Sequence, residues 1–75
     1  MKETAALELI KANEVLNERL HMPLFEKLKD LSLKNGIISI CIESNDVFIE
    51  FNPVIWALSD IKEELEMIGF PFKNK

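Results

Sequence analysis

The chain contains few of the residues that build covalent cross-links and metal sites. Its 75 residues include one cysteine, Cys41, and one histidine, His21. A single cysteine excludes a disulfide within the chain, and one cysteine with one histidine gives no ordinary zinc ligand set. We therefore expect no metal and no other cofactor. A domain this small must then be stabilised by close packing or by a second subunit.

Residues and motifs that support catalysis are also scarce. The two glycines, Gly36 and Gly69, belong to no phosphate-binding loop and stand where helices are expected to end. No serine lies in a nucleophile elbow, and the sequence places no activating base beside Cys41. His21 is expected at the carboxyl end of a helix, where a cation is favourable. The sequence therefore predicts a protein that is not an enzyme.

Basic residues are outnumbered by acidic ones, nine to thirteen, which gives a net charge of -4. This balance makes nucleic acid and anionic membranes unfavourable partners. No apolar run approaches the ~18 residues of a membrane helix, and the first residues lack the apolar core of a signal peptide. A free cysteine without an export signal is typical of the reducing cytoplasm. Abundant isoleucine and lysine with one arginine indicate an AT-rich bacterial or phage genome.

A β-hairpin over residues 37–51 is the clearest structural prediction. Two runs rich in β-branched residues alternate their side chains around a polar turn, which is the pattern of half-buried strands. A lone hairpin is marginally stable in water, so helices or another chain must cover its apolar face. That face comprises Ile38, Ile40, Ile42, Val47, Ile49 and Phe51. Three of these, Ile40, Ile49 and Phe51, are expected to be fully buried.

Two hairpin registers keep the apolar side chains on one face. A two-residue loop at 45–46 pairs Ile42 with Ile49, whereas a four-residue loop at 43–46 pairs Ile42 with Val47. The second residue of the tighter loop is aspartate instead of the glycine that a type I′ turn favours. The longer loop also gives more apolar cross-strand pairs. Both registers stay open, and the pattern favours the longer loop.

Three helices are predicted around the hairpin, which gives the order α-α-β-β-α. The first spans about 4–21, with Thr4 as its N-cap and good helix formers after it. The second spans about 23–34 and begins at a proline, which suits the first helical position. The third spans about 53–68 and follows Asn52, an N-cap residue that precedes a proline.

The whole chain, residues 1–75, is expected to form one α+β domain with its helices packed on one face of the hairpin. No repeat or linker divides it. The apolar side chains of Phe70 and Phe72 are expected to fold back onto the domain, and residues 73–75 are expected to fray.

The predicted third helix carries the main candidate for a binding site. At helical spacing, Trp56, Asp60, Glu63 and Met67 lie along the side opposite its apolar stripe. A tryptophan among acidic residues is typical of the hot spot of a protein interface. The competing interpretation is that Trp56 packs into the core. The first interpretation predicts a partner protein with a basic surface.

Two further residues are candidates for a subunit contact. Leu7 and Val15 point away from the apolar face of the predicted first helix, among charged residues. Such a second apolar strip can meet its own copy across a two-fold axis. The open edges of the hairpin offer another route, because two hairpins can join into one sheet. We therefore expect a homodimer.

Three functional hypotheses remain. The leading one is a non-enzymatic protein–protein interaction or regulatory module that acts as a homodimer. The first alternative is a monomeric acidic inhibitor, like an antitoxin or an immunity protein, that covers a basic site on its target. The second alternative is a nucleic-acid-binding regulator, which would require a coherent basic surface.

Overall fold

The computed structural model describes residues 5–73, which form a small α+β fold. Along the chain it contains β1 (Ala6–Lys11), α1 (Met22–Ser32), β2 (Ile37–Glu43), β3 (Asp46–Phe51) and α2 (Leu58–Met67). The strands form an antiparallel sheet in the order β1-β3-β2. Between residues 5 and 73, no helix is long and apolar enough to cross a membrane. The predicted cap at Thr4 and the predicted fraying of residues 74 and 75 lie outside the described residues. Lys73, which was also expected to fray, instead donates its amide to the Lys11 carbonyl oxygen at 3.0 Å.

The predicted first helix, about 4–21, is wrong, because the chain forms strand β1 there. All of β1 pairs with β3, from Ala6 opposite Phe51 to Lys11 opposite Asp46. Helix propensity is a weak preference, and a third strand stabilises a hairpin that would be marginal alone. The observed order is therefore β-α-β-β-α.

The segment between β1 and α1 folds over the hairpin turn. The Ala12 amide donates to the Asn45 carbonyl oxygen at 2.8 Å, and the Leu16 amide donates to the Ser44 carbonyl oxygen at 2.9 Å. Both Ala12 and Leu16 are buried as a result. Ser44 occupies the left-handed region with a φ of 61°, which lets the turn close tightly.

The hairpin has the register that the longer loop predicted. Ile42 lies opposite Val47, and Ile40 lies opposite Ile49. The strands continue pairing closer to the turn than expected, because β2 ends and β3 begins on either side of residues 44–45.

A bulge near the start of β2 changes the other end of the hairpin. The register shifts between Ile37 and Ser39, so Ile37 lies opposite Phe51. Ile38 is the extra residue of the bulge, has no partner in β3, and is 51% exposed. This corrects its predicted place on the apolar face.

The expected burial of the hairpin is confirmed at two of three positions. Ile49 and Phe51 are fully buried, whereas Ile40 is only half-buried. The strand order explains the difference, since β3 is central and β2 lies at an edge of the sheet. An edge strand has a neighbour on one side only, so its side chains keep more contact with solvent.

Helix α1 agrees with the helix predicted at 23–34. Its buried residues, Leu24, Leu28 and Leu31, lie at the spacing of one helical face. After the helix, Gly36 has a φ of 95°, which few residues other than glycine adopt easily.

Helix α2 begins at Leu58, later than the predicted start at residue 53. The side-chain oxygen of Asn52 accepts a hydrogen bond from the Val54 amide at 2.9 Å, and its carbonyl oxygen accepts one from the Trp56 amide at 3.0 Å. These bonds form a turn. Asn52 therefore caps this turn and not the helix predicted to start at residue 53.

The start of α2 depends on Asp60 instead of Asn52. Asp60 Oδ2 accepts a hydrogen bond from the Ala57 amide at 3.2 Å, which satisfies a free donor at the helix end. Ile61 and Leu65 then form its buried face, as their spacing predicts.

The carboxyl-terminal segment folds back as expected. Phe70 is buried, and its ring centre lies 4.9 Å from that of Phe72 in an edge-to-face arrangement. Phe72 forms an antiparallel bridge with Ala12, at the end of β1.

Both helices pack on one side of the sheet, which we call the inner face; the opposite side is the outer face. The hydrophobic core lies between the inner face and the helices. Its buried residues are Ile10, Ala12, Leu16, Leu24, Leu28, Leu31, Ile37, Val47, Ile49, Phe51, Ile61, Leu65 and Phe70.

Candidate protein-binding surfaces

The outer face carries a row of apolar side chains that crosses all three strands. Leu9 lies opposite Phe48, and Phe48 lies opposite Cys41. Leu9 is 43% exposed and Leu7, next to it on the same face, is 65% exposed. Cys41 is exposed and Phe48 is half-buried. We call Leu7, Leu9, Cys41 and Phe48 the outer row. The solvated face of an antiparallel sheet usually carries polar residues, so the outer row is a candidate contact surface.

Acidic side chains flank the outer row. At one end Glu50 accepts a hydrogen bond from the Ser39 hydroxyl at 3.3 Å. At the other end Asp46 binds the Lys11 ammonium at 2.9 Å, and Glu43 lies opposite Asp46. Because Lys11 neutralises Asp46, Glu43 and Glu50 give this face a negative rim.

Trp56 lies outside helix α2 and contacts the hydrophobic core. Its indole Nε1 donates to the Asn35 carbonyl oxygen at 2.8 Å. Its ring also lies against Gly36, where an added Cβ would come within 2.7 Å of Trp56 Cδ1. These contacts join the turn before α2 to the junction between α1 and β2.

The other three residues of the predicted site lie on α2. Asp60, Glu63 and Met67 are all exposed, and their spacing places them on one side of the helix. Trp56 precedes the helix, so the structure does not bring the four residues into the single row that the sequence predicts. Partner binding by these residues stays a prediction.

Leu7 and Val15 lie on different elements. Leu7 belongs to β1 and to the outer row, whereas Val15 lies in the segment after β1 and is 62% exposed. The helix expected to carry both residues does not form, so they do not make a continuous strip. A subunit contact at either residue stays a prediction.

A small apolar groove lies between the β2 edge and α1, with a volume of about 210 Å³. Phe25, Ile40 and Ile42 line it and are half-buried. The hydrophobic core therefore extends to the β2 edge without being fully covered by the described residues.

A larger groove, of about 810 Å³, lies between the free edge of β1 and helix α2. Its walls are residues 8–11 of β1, Ser59, Lys62, Glu63 and Glu66 of α2, and Phe72 and Lys73. We call it the β1–α2 groove. One of the predicted site residues, Glu63, lies in its wall.

His21 lies before α1, at the amino end of that helix, and not at a carboxyl end as predicted. Its Nε2 lies 2.7 Å from Glu14 Oε2, and this hydrogen bond raises the pKa of His21 above its usual 6.5. Within residues 5–73, no group of three or more His, Cys, Asp or Glu side chains is placed to hold a metal ion. The His21–Glu14 pair joins the segment after β1 to the start of α1.

Comparison with protein-family models, curated proteins and solved structures gives no significant match.

The outer row was missed by sequence reasoning, although a signal for part of it exists. Leu7 and Leu9 alternate with Glu8, which is a strand period, but the alanine and leucine content of the segment favoured a helix. Only the pairing with β3 shows that Leu9 and Phe48 meet on one face.

Proposed function

We propose that the protein is a non-enzymatic protein–protein interaction module that binds a partner on the outer face of its sheet. The observation that supports this most is the outer row, an apolar strip on the face opposite both helices. Its exposed members, Leu7 and Leu9, gain most from being covered, because burial of apolar surface drives association.

The partner we propose has an apolar ridge with basic residues on both sides. Glu43 and Glu50 border the outer row and face no described cation within salt-bridge distance. Opposite charges around an apolar centre steer association and fix orientation. An acidic inhibitor that covers a basic site on a target is a specific form of this proposal.

The test uses two synthetic amphipathic helical peptides that present leucine on one side. One peptide carries lysine on its other side and the second carries glutamate. We expect the lysine peptide to bind and to shift the amide signals of Leu9, Cys41 and Phe48 in two-dimensional NMR spectra. Binding of both peptides alike, or shifts confined to the helices, would contradict the proposal.

A matched pair of variants locates the binding energy. Leu9→Ser removes an exposed apolar side chain of the outer row, and Val54→Ser makes the same kind of change at a residue that is 88% exposed elsewhere. We expect Leu9→Ser to weaken binding of the lysine peptide roughly tenfold, since a few apolar residues carry most of the binding energy of an interface. Val54→Ser should leave the affinity unchanged. Thermal melts of both variants check that the fold is kept.

A homodimer is the second candidate, and the β2 edge favours it. Phe25, Ile40 and Ile42 are half-buried there, and Ile38 is 51% exposed beside them. Two β2 edges can pair across a two-fold axis and extend the sheet, which would cover these residues. The outer face would stay open in such a dimer.

Light scattering at several micromolar concentrations tests the dimer. We expect a mass of twice 8.7 kDa that falls on dilution. Ile38→Lys should return the mass to that of the monomer, whereas Val54→Lys should not. A constant mass near 8.7 kDa for the unchanged protein would exclude the dimer.

A further inference from the structure

At one end of the β1–α2 groove, the chain itself pairs with the free edge of β1 through an isolated bridge. The Lys73 amide donates to the Lys11 carbonyl oxygen at 3.0 Å, and the Asn13 amide donates to the Pro71 carbonyl oxygen at 2.9 Å. These bonds flank the bridge between Ala12 and Phe72. Residues 71–73 thus run antiparallel to β1 along its free edge.

Beyond Lys11, the free edge of β1 presents further backbone amide and carbonyl groups at Leu9 and Leu7. In an antiparallel strand, successive residues direct their amide and carbonyl groups to opposite sides. The Ala12 amide points toward the hairpin, whereas the Lys11 carbonyl points to the free edge of β1. By this alternation, the backbone amide and carbonyl groups of Leu7 and Leu9 also point to the free edge. No strand pairs with this part of the edge among residues 5–73. It therefore offers hydrogen-bonding groups to another extended chain.

Glu8 adds a chemical preference to this edge. Glu8 lies opposite Ile49, so its side chain is on the inner face, where the other residues of β1 are Ala6 and Ile10. It is half-buried in the wall of the groove and forms no ion pair with residues 5–73. Glu63 and Glu66 of α2 line the same groove. A cationic side chain between these carboxylates would be favourable.

We propose that the β1–α2 groove binds an extended segment of a partner protein, which adds to the sheet as a strand antiparallel to β1. The segment forms backbone hydrogen bonds to Leu7 and Leu9 and places a lysine or arginine opposite Glu8. In that register the two residues form a non-hydrogen-bonded pair, where side chains approach most closely. The segment uses the backbone of Leu7 and Leu9 at the β1 edge, whereas the function proposed above uses the side chains of these residues on the outer face. Occupancy of the groove does not depend on that function.

A second copy of the chain is a less favourable occupant of this groove. Its own β1 would bring a second Glu8 into a groove that already contains Glu8, Glu63 and Glu66. Three lysines line the groove, but the Lys11 ammonium is bound to Asp46. Lys62 and Lys73 are therefore the cations that can offset the charge of these carboxylates. A segment that carries a cation is therefore the better match.

The test uses the full chain and the peptide acetyl-Thr-Val-Lys-Val-Thr-amide. In an added strand, its lysine faces Glu8 and its valines face the outer side. We expect the peptide to slow hydrogen exchange at the Leu7 and Leu9 amides and to leave Glu8 and Ile10, whose amides point toward β3, unchanged. Replacing the lysine by norleucine, or Glu8 by glutamine, should weaken binding roughly tenfold, because one charge-assisted contact is lost.

A second peptide with both valines N-methylated separates strand addition from simple charge attraction. It keeps every side chain but lacks the two valine amide donors that face β1 in the added strand. We therefore expect no measurable binding. Equal binding by the methylated peptide, or no binding by the parent peptide, would overturn the proposal. Protection of Leu7 and Leu9 that rises with protein concentration in the absence of peptide would overturn it in favour of a second copy.

Discussion

The two faces of the sheet come from the same three strands and have different roles. On the inner face Val47 and Ile49 have an exposure of 0%, and both helices cover them. On the outer face, the neighbouring residues Phe48 and Glu50 keep contact with solvent. Because side chains alternate along a strand, one sequence supplies a core on one face and the proposed binding surface on the other. Substitutions on the inner face should therefore change stability, and those on the outer face should change binding.

The largest expected effect compares neighbours on the central strand. Ile49→Ala leaves a cavity at a fully buried position and should cost about 2–5 kcal/mol of unfolding free energy. Phe48→Ala removes cross-strand contacts on the outer face and should cost about 1 kcal/mol or less. Urea denaturation measures both. Equal costs would mean that the two faces are buried alike and would remove the distinction between them.

A second comparison uses the two glycines with positive φ. An alanine at Gly36 would be strained by its φ of 95° and would meet Ile55 and Trp56 within 2.7 Å. An alanine at Gly69 has a similar φ of 84° but no atom within 4 Å. We expect about 1–2 kcal/mol for Gly69→Ala from the backbone alone, and about 1–3 kcal/mol more for Gly36→Ala. Denaturation curves that give equal costs would contradict the close contact at Gly36.

A substitution at Trp56 tests whether the hydrophobic core extends to the turn before α2. Trp56→Ala removes core contacts and the hydrogen bond to the Asn35 carbonyl oxygen, so we expect a loss of about 2 kcal/mol and a lower melting temperature. Met67→Ala, at a residue that is 76% exposed, serves as the control and should be neutral. An unchanged melting temperature for Trp56→Ala would contradict a core role for Trp56 and would favour its role as an interface anchor.

The smallest effect concerns the His21–Glu14 pair, which belongs to neither face. The hydrogen bond from His21 to Glu14 raises the pKa of His21 in the folded protein above 6.5. Folding therefore favours protonated His21. Its contribution to the free energy of unfolding is fully present below pH 6.5, the usual pKa of histidine in the unfolded chain. It is lost as the pH rises through the raised pKa. Melting temperatures recorded against pH should show this step, and Glu14→Gln should reduce it; an unchanged step in that variant would assign it to another group.

The parts of the fold that the sequence predicts are those set by local patterns. The hairpin is one such part, because alternation over Ile40 to Phe51 and a polar turn leave few alternatives. Helix α1 is another, since its leucines repeat at helical spacing after a proline. In both, local preference and tertiary contacts agree.

The parts that fail depend on contacts between distant residues. Strand β1 has a helix-forming composition and becomes a strand only because β3 offers an edge to pair with. The turn from Asn52 to Trp56 is held by Gly36 and Asn35, which lie far away in the sequence. The outer row depends on the first of these, since Leu9 meets Phe48 only when β1 pairs with β3.

The central claim is that the outer face is open in the free protein and is covered when a basic partner binds. Cys41 reports on this directly, because it is the one cysteine of the chain and lies in the outer row. We would measure its rate of alkylation by iodoacetamide with and without the lysine peptide. The account predicts a rate in the free protein close to that of the denatured chain, and a marked slowing with the lysine peptide but not with the glutamate peptide. Slow alkylation of the free protein, or a rate that the bound lysine peptide leaves unchanged, would contradict it.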